Sequence, residues 1–320
     1  MILLVVSRER NNIIMKKIFR RIKVNQSYIF RFACKWTAAI YAVLGFVGTF
    51  ASLDVCVFLK QFLSGNEPST IICILGSVAI LLLIFIIFFF CALLRVIKKQ
   101  RYELMEVSDG YHVYVQYGDI FSPDEVNNPA EQRNIIIPVN RCFDTKIDND
   151  LVSSKSLHGV CMRRLYEKGL FTEETLSEAI QNFLDKKVQV KPKVISRSEK
   201  GSGNLKRYPA GTVAEIKVSE KCTYFFLALS WLDRNLHANT SDEEYVVALV
   251  KLLKWCNIRS QKYPIVMPLI GAGASDLQKN EKDILDYLIK LIQLNKNLIN
   301  SDIHIVIRSS GKDSIGISGL

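Results

Sequence analysis

Two uninterrupted apolar blocks dominate the pattern along this chain. The first runs from Trp36 to Leu59 with Asp54 as its single charge, and the second from Ile71 to Leu94 with none. Each holds 24 residues, which at about 1.5 Å per residue exceeds the roughly 30 Å hydrocarbon core of a bilayer. Together they predict a transmembrane α-hairpin. Upstream, Ile14, Ile18 and Ile22 recur every four residues beside Met15 and Phe19, while Lys16, Lys17, Arg20, Arg21 and Lys23 fill much of the remaining surface. That spacing predicts a basic amphipathic helix suited to an anionic inner leaflet. It serves equally well as a topology signal with no further duty.

Beyond Leu94 the period changes. Val113, Val115 and Tyr117 alternate with polar neighbours and lead into Gly118-Asp119-Ile120, a strand ending in a tight turn. Ile135, Ile136 and Ile137 form a short apolar run of the kind buried on both faces, closed by Pro138, with Asn140 where the strand would leave its sheet. Further strands are predicted at Thr212–Val218, Tyr224–Leu229, Ile265–Met267 and Ile303–Ile307. A polar helix is predicted over roughly Thr172–Lys186. Ser241 with Glu244 makes a capping box for a helix whose inner face is Tyr245, Ala248, Leu249, Leu252 and Leu253. A later helix turns Ile284, Leu285, Leu288, Ile289 and Ile292 inward, and Lys200-Gly201-Ser202-Gly203 reads as a flexible bridge. Strands alternating with helices indicate a three-layer α/β domain. The chain therefore divides into a basic leader (1–35), a membrane hairpin (36–94) and a large cytosolic domain (95–320).

Charge placement orients this plan. The first 35 residues carry nine Lys or Arg against Glu9 alone, so about eight of the eleven net positive charges lie there. Arg95, Lys98, Lys99 and Arg101 follow the second block, whereas the connection Gln61–Thr70 carries only Glu67. The positive-inside bias puts both termini of a multi-pass membrane protein in the cytoplasm and only the short connection outside. A secretory signal fits poorly, because the apolar run Ile2–Val6 is short and its basic residues follow it. With the leader removed the large domain is nearly neutral, and no nucleic-acid surface is implied. Cys142, Cys161, Cys222 and Cys256 are widely spaced, which suggests neither a zinc site nor a disulfide framework. Asp54 sits near the end of its block, where a carboxylate stays hydrated; the alternative is a pore lining or assembly contact.

Candidate chemistry gathers at strand ends. Gly271, Ala272, Gly273, Ala274 and Ser275 lie between a strand and a helix, where small residues leave backbone N–H groups free to meet phosphate. The loop is neither a Walker A sequence nor a GxGxxG fingerprint, and a plain strand-to-helix turn has the same composition. Asp119 is placed to accept from an adenine amino group or to hold its own turn. His158, beside Gly159, reads as a general base, a ligand contact or a structural residue. No Ser–His–Asp set, paired catalytic carboxylates or metal-spaced His cluster emerges.

Gly118-Asp119-Ile120, Ile135–Asn140 and the late Pro268–Gly273 loop look like the three ligand-binding segments of a macro domain. The segments NRCFDTKIDNDLVSSKSLHG, RYPAGTVAEI, FLALSWLD and VMPLIGAG resemble the ThsA macro-domain effectors of Thoeris antiphage defence, in their form with two N-terminal membrane helices. The resemblance covers essentially the whole chain and implies an α/β/α macro domain with a mixed central sheet. It also implies a function. A TIR-domain partner would consume NAD after phage infection and make an ADP-ribose derivative conjugated to histidine. The macro domain would sense it, and the effector would oligomerise and compromise the membrane. On that resemblance Asp119 and Ile120 take the adenine end and Asn140 the distal ribose. Ser153, Ser156, His158 and Gly159 belong to a loop over ribose and diphosphate, and 271–275 cradles the diphosphate. No cofactor or metal is implied. The triple-glycine loop of hydrolytic macro domains is absent after Asn140, which favours binding without turnover. The competing readings are a membrane-anchored ADP-ribosyl hydrolase and a scaffold that contacts only protein.

Overall fold

The computed structural model describes residues 15–51, 70–188, 190–273 and 279–320. Asp54, Ala274 and Ser275 lie outside the described residues. The chain forms two compact units: Met1–Gln100 with Asp313–Leu320, and Arg101–Lys312.

The first unit is built on two apolar helices, α1 (Gln26–Ala51) and α2 (Thr70–Lys98), preceded by helical residues 15–24. They pack antiparallel: Ile29 near the start of α1 shares a buried cluster with Ala92 and Val96 near the end of α2, and Trp36 stacks on Phe88 at 6.1 Å. Both are long and apolar enough to cross a membrane by length and composition. Their outer faces carry exposed Phe46, Leu83 and Phe90, which suits contact with lipid. The first helix starts ten residues before Trp36 and takes in Arg31 and Lys35, because a helix follows backbone continuity and not hydropathy alone. Asp313 pairs with Arg21 at 3.1 Å, and Ile315 and Ile317 behind it are buried.

The second unit is α/β. Its strands are β1 (Arg101–Glu106), β2 (His112–Gly118), β3 (Arg133–Asn140), β4 (Lys193–Val194), β5 (Lys206–Arg207), β6 (Val213–Ser219), β7 (Cys222–Leu232), β8 (Ala238–Asn239), β9 (Ile265–Pro268) and β10 (Ile303–Arg308). Among the described residues the main sheet runs β1-β2-β10-β9-β3-β7-β6, with β8 added to β7. From β2 to β7 the pairing is parallel, and β1, β6 and β8 are antiparallel additions. The expected mixed sheet is therefore present.

Helices α3 (Leu157–Glu167), α4 (Glu173–Lys187), α5 (Asp242–Arg259) and α6 (Glu281–Leu294) flank it. The period of two along each strand assigns the faces. Ile135, Ile137, Val139, Tyr224 and Phe226 join one apolar cluster with Cys161, Leu165, Leu176 and Ile180 of α3 and α4. Ile136, Phe225 and Leu227, from the intervening positions, are equally buried, and α5 packs on β7. The inward residues expected for α5 and α6 are all buried.

One strand departs from expectation in a way that builds the site. β3 does not end at Pro138 but runs through it to Asn140, with Pro138 opposite Leu227 of β7. A proline is tolerated in a central strand only where no ladder bond is lost. The Asn134 N–H bonds Pro264 at 2.8 Å on the β9 side, so by alternation the Pro138 nitrogen also faces β9. Pairing between β3 and β9 stops at Ile135, however. Pro138 lies beyond that point, where the two strands have already parted.

Helix starts are firmly capped. The Ser241 hydroxyl accepts from Glu244 N at 3.1 Å, and the Glu244 carboxylate returns the bond to Ser241 N. Thr172 and Thr175 do the same for α4. Replacing either cap leaves an orphan N–H, so Ser241→Ala and Thr172→Ala should each lower unfolding stability by about 1 kcal/mol. Denaturant midpoints of the full chain in detergent measure this; a shift in neither would contradict the capping assignment.

Candidate ligand-binding site

Parallel strands all end on the same edge, so the residues after β2, β3, β7, β9 and β10 are brought together there. The connections leaving β3 and β9 diverge: β3 leads to β7 on one side and β9 to β10 on the other. Such a switch point opens a crevice at the carboxyl ends of the strands. Here it holds a cavity of about 1010 Å³, lined by Asp119 and Ile120 after β2, Pro138 to Asn140 of β3, and Leu269 to Gly273 after β9. Ser153, Ser156 and His158 line it as well. Gly159 does not line it but sits one residue along in α3. Ala274 and Ser275 are outside the described residues, so the final part of that expected cradle is not on view.

Each position has a local cause. Asn140 is buried, and its side-chain oxygen accepts from Cys142 N (3.1 Å) and Asp144 N (3.3 Å) while Nδ2 reaches Leu151 O at 3.4 Å. Nδ2 also donates to the Asp144 carboxylate. Arg141, Cys142 and Phe143, which follow it, are turned into the protein: Arg141 bonds Tyr208 O at 2.8 Å and pairs with Glu244, and the next two are buried. Ser156 caps α3 by accepting from Gly159 N at 3.0 Å and donates to Ser153 O at 2.7 Å. Gly159 permits this, because a Cβ there would overlap the Ser153 carbonyl. The positive end of α3 thus opens on the cavity. Gly271 adopts φ 96°, open to glycine at little cost, and Tyr245 of α5 anchors the loop through Ile270 O at 2.8 Å.

His158 is buried and its ring donates to the backbone of Asp144, while Nε2 has no hydrogen-bond partner among the described residues. Burial pushes its pKa down to about 3, so the imidazole is neutral at pH 7. It is a poor proton donor there, and its unpartnered Nε2 is buried. At the other end Asp119 holds its own turn by accepting from Phe121 N at 3.1 Å, as one of the two expected readings had it. It also pairs with Arg164 at 2.9 Å, whose guanidinium lies 4.3 Å over the Phe121 ring. Beneath it the Glu125 carboxylate accepts from Asp119 N at 2.8 Å and from Gln116.

Sequence reasoning missed part of this wall. Phe121, Glu281 and Arg308 line the cavity, as do Leu232, Asp233, Leu236, His237 and Asn239 from the β7–β8 hairpin. The signal was the Asp-Arg-Asn run after Leu232, a turn former: Asp233 accepts from Asn235 N (2.8 Å) and His237 N (2.9 Å). Lys200 departs from expectation. It lies in no flexible bridge but is fully buried, bonded to Asp144 at 2.6 Å.

The family described as "Thoeris protein ThsA, Macro domain" matches residues 113–308. The Thoeris protein ThsA of Bacillus amyloliquefaciens (strain Y2) is 26% identical over 193 residues, 59% of this chain and 59% of that protein. The chain thus matches about three-fifths of that relative's length. Among solved structures, a macrodomain of Oceanobacillus iheyensis with MES bound is 13% identical with TM-score 0.42, covering 67% of this chain and 92% of its own. A protein from Bacteroides thetaiotaomicron is 12% identical with TM-score 0.36, covering 60% and 97%.

Two consequences are measurable. Gly159→Ala must displace the Ser153–Ser154 backbone and should destabilise the fold by about 1–3 kcal/mol, read from the denaturant midpoint. His158 and His304 both have pKa values lowered to about 3 by burial, against 6.5 in the open chain. The unfolded chain then binds more protons below pH 6.5, so stability falls as pH drops through that window, by about 1.4 kcal/mol per pH unit for each imidazole. A His158→Asn variant that shows the wild-type slope between pH 6.5 and 4 would refute the assignment.

Proposed function

The chain belongs to the ThsA macro-domain family of Thoeris, and from that premise we propose that it is an antiphage effector whose cavity binds an ADP-ribose-type signal. One observation carries the reading: Asp119, Asn140 and Gly273, spread over 154 residues of chain, line a single cavity at the carboxyl edge of the parallel strands. The carboxylate of Asp119 beside Phe121 suits an aminopurine. Asn140 and His158 in the cavity wall suit the distal ribose. The α3 N-terminus and the 271–273 loop suit a diphosphate.

The signal is of the histidine–ADP-ribose type, made from NAD by a TIR-domain partner. Its binding favours association of copies of the chain, and the apolar helices α1 and α2 then perturb the inner membrane until the infected cell stops growing or dies. Cytoplasmic termini are supported by the basic leader, and a two-span topology by the two apolar helices. The site binds without turnover, a reading supported by the neutral His158 and by the inward-turned Arg141-Cys142-Phe143 in place of a glycine loop.

Calorimetry of the full chain in detergent with ADP-ribose tests this. Wild type should bind. Asn140→Ala should lose about tenfold in affinity, the equivalent of roughly 1.4 kcal/mol. Gly271→Glu, which sets a carboxylate and a strained backbone against the diphosphate, should abolish binding. Wild-type affinity in both variants removes the site assignment, and product release from ADP-ribose conjugates replaces the sensor by a hydrolase.

A further inference from the structure

Outside the cavity, a buried ionic cluster stands behind its ribose–diphosphate half. Lys200 is 0% exposed and Asp144 2%. The lysine Nζ donates to Asp144 Oδ2 at 2.6 Å and to Asn204 O at 2.9 Å; Asn204 N donates to Asp144 Oδ1 at 2.7 Å. Asn204 Nδ2 reaches Cys142 O at 3.2 Å. Gly203, at φ 75°, lets the backbone close over the pair: a Cβ there would overlap Asp144 Oδ1 and sit 2.9 Å from Lys200 Nζ.

None of Asp144, Lys200 and Asn204 lines the cavity, yet Asp144 is the pivot of those that do. Its N–H donates to Asn140 Oδ1 at 3.3 Å, and its backbone receives the His158 ring. Asn140 in turn holds Leu151, which packs with Val152 and Leu232 in the cavity wall. Burying an ion pair is seldom more stabilising than an apolar pair of the same volume. Directional bonds on one carboxylate do something an apolar pair does not, since they give the loop a single geometry.

We propose that Lys200 is a positioning residue for the ribose–diphosphate end of the cavity, acting through Asp144 on Asn140 and His158. This rests on the ADP-ribose reading above, and a ligand-free measurement separates the two. In the full chain in detergent, Lys200→Met should speed amide hydrogen exchange over residues 142–153 by about tenfold or more, with β2 and β9 unchanged. The double variant Asp144→Asn/Lys200→Gln, which keeps neutral hydrogen bonds, should return exchange towards wild type. In titrations with ADP-ribose and with AMP, Lys200→Met should weaken ADP-ribose about tenfold while AMP changes less than about twofold, because a displaced loop misplaces only the groups it carries.

Should Lys200→Met fail to fold, Gly203→Ala applies the same displacement and should give the same pattern. Wild-type exchange over 142–153 in the folded variants, or acceleration spread evenly over the sheet, overturns the proposal. Equal losses for AMP and ADP-ribose overturn it too. If wild type binds neither probe, the sensor reading fails, and the exchange result alone decides the positioning role.

Discussion

The site depends on where β3 and β9 stop pairing. Up to Ile135 the two strands share a ladder; beyond it β9 stays with β10 and β3 stays with β7. Pro138 makes that parting permanent, since a residue without an N–H offers β9 no ladder bond on the side where one would form. The resulting crevice is a property of the sheet. The loops that line it are decoration on a gap that backbone hydrogen bonding has already opened.

Electrostatics then gives the crevice a direction. Its Asp119 end is carboxylate-rich, with Glu125 beneath and Arg164 alongside. Its middle is bounded by the N-terminus of α3 and by small residues after β9, both presenting backbone donors. The rest of its wall carries Asn140 and the β7–β8 hairpin. The buried imidazole and the Lys200–Asp144 cluster cost stability that an apolar interior would not.

Much of the fold was legible because its signals are local. The Ser241/Glu244 capping box, the inward stripes of α5 and α6 and the strands at Ile265 and Ile303 follow from spacing alone. Asp119, Asn140 and Gly271 were placed at strand ends by the same reasoning, and the sheet collects them. What escaped was set by tertiary contact. Lys200 stands among glycines and serines and looks solvated until Asp144 is known to lie against it. Arg164 sits on a helix face whose partner, Phe121, is over forty residues earlier. Pro138 looked like a strand end because a missing N–H is usually a missing bond; here the neighbour had already left.

The most direct test of the crevice as the ligand site is a structure of the full chain with ADP-ribose bound. The account predicts the adenine against Asp119 and Phe121, the diphosphate between the α3 N-terminus and residues 271–273, and the distal ribose at Asn140. Density for the ligand elsewhere on the domain, with the crevice between β3 and β9 still empty, would contradict it.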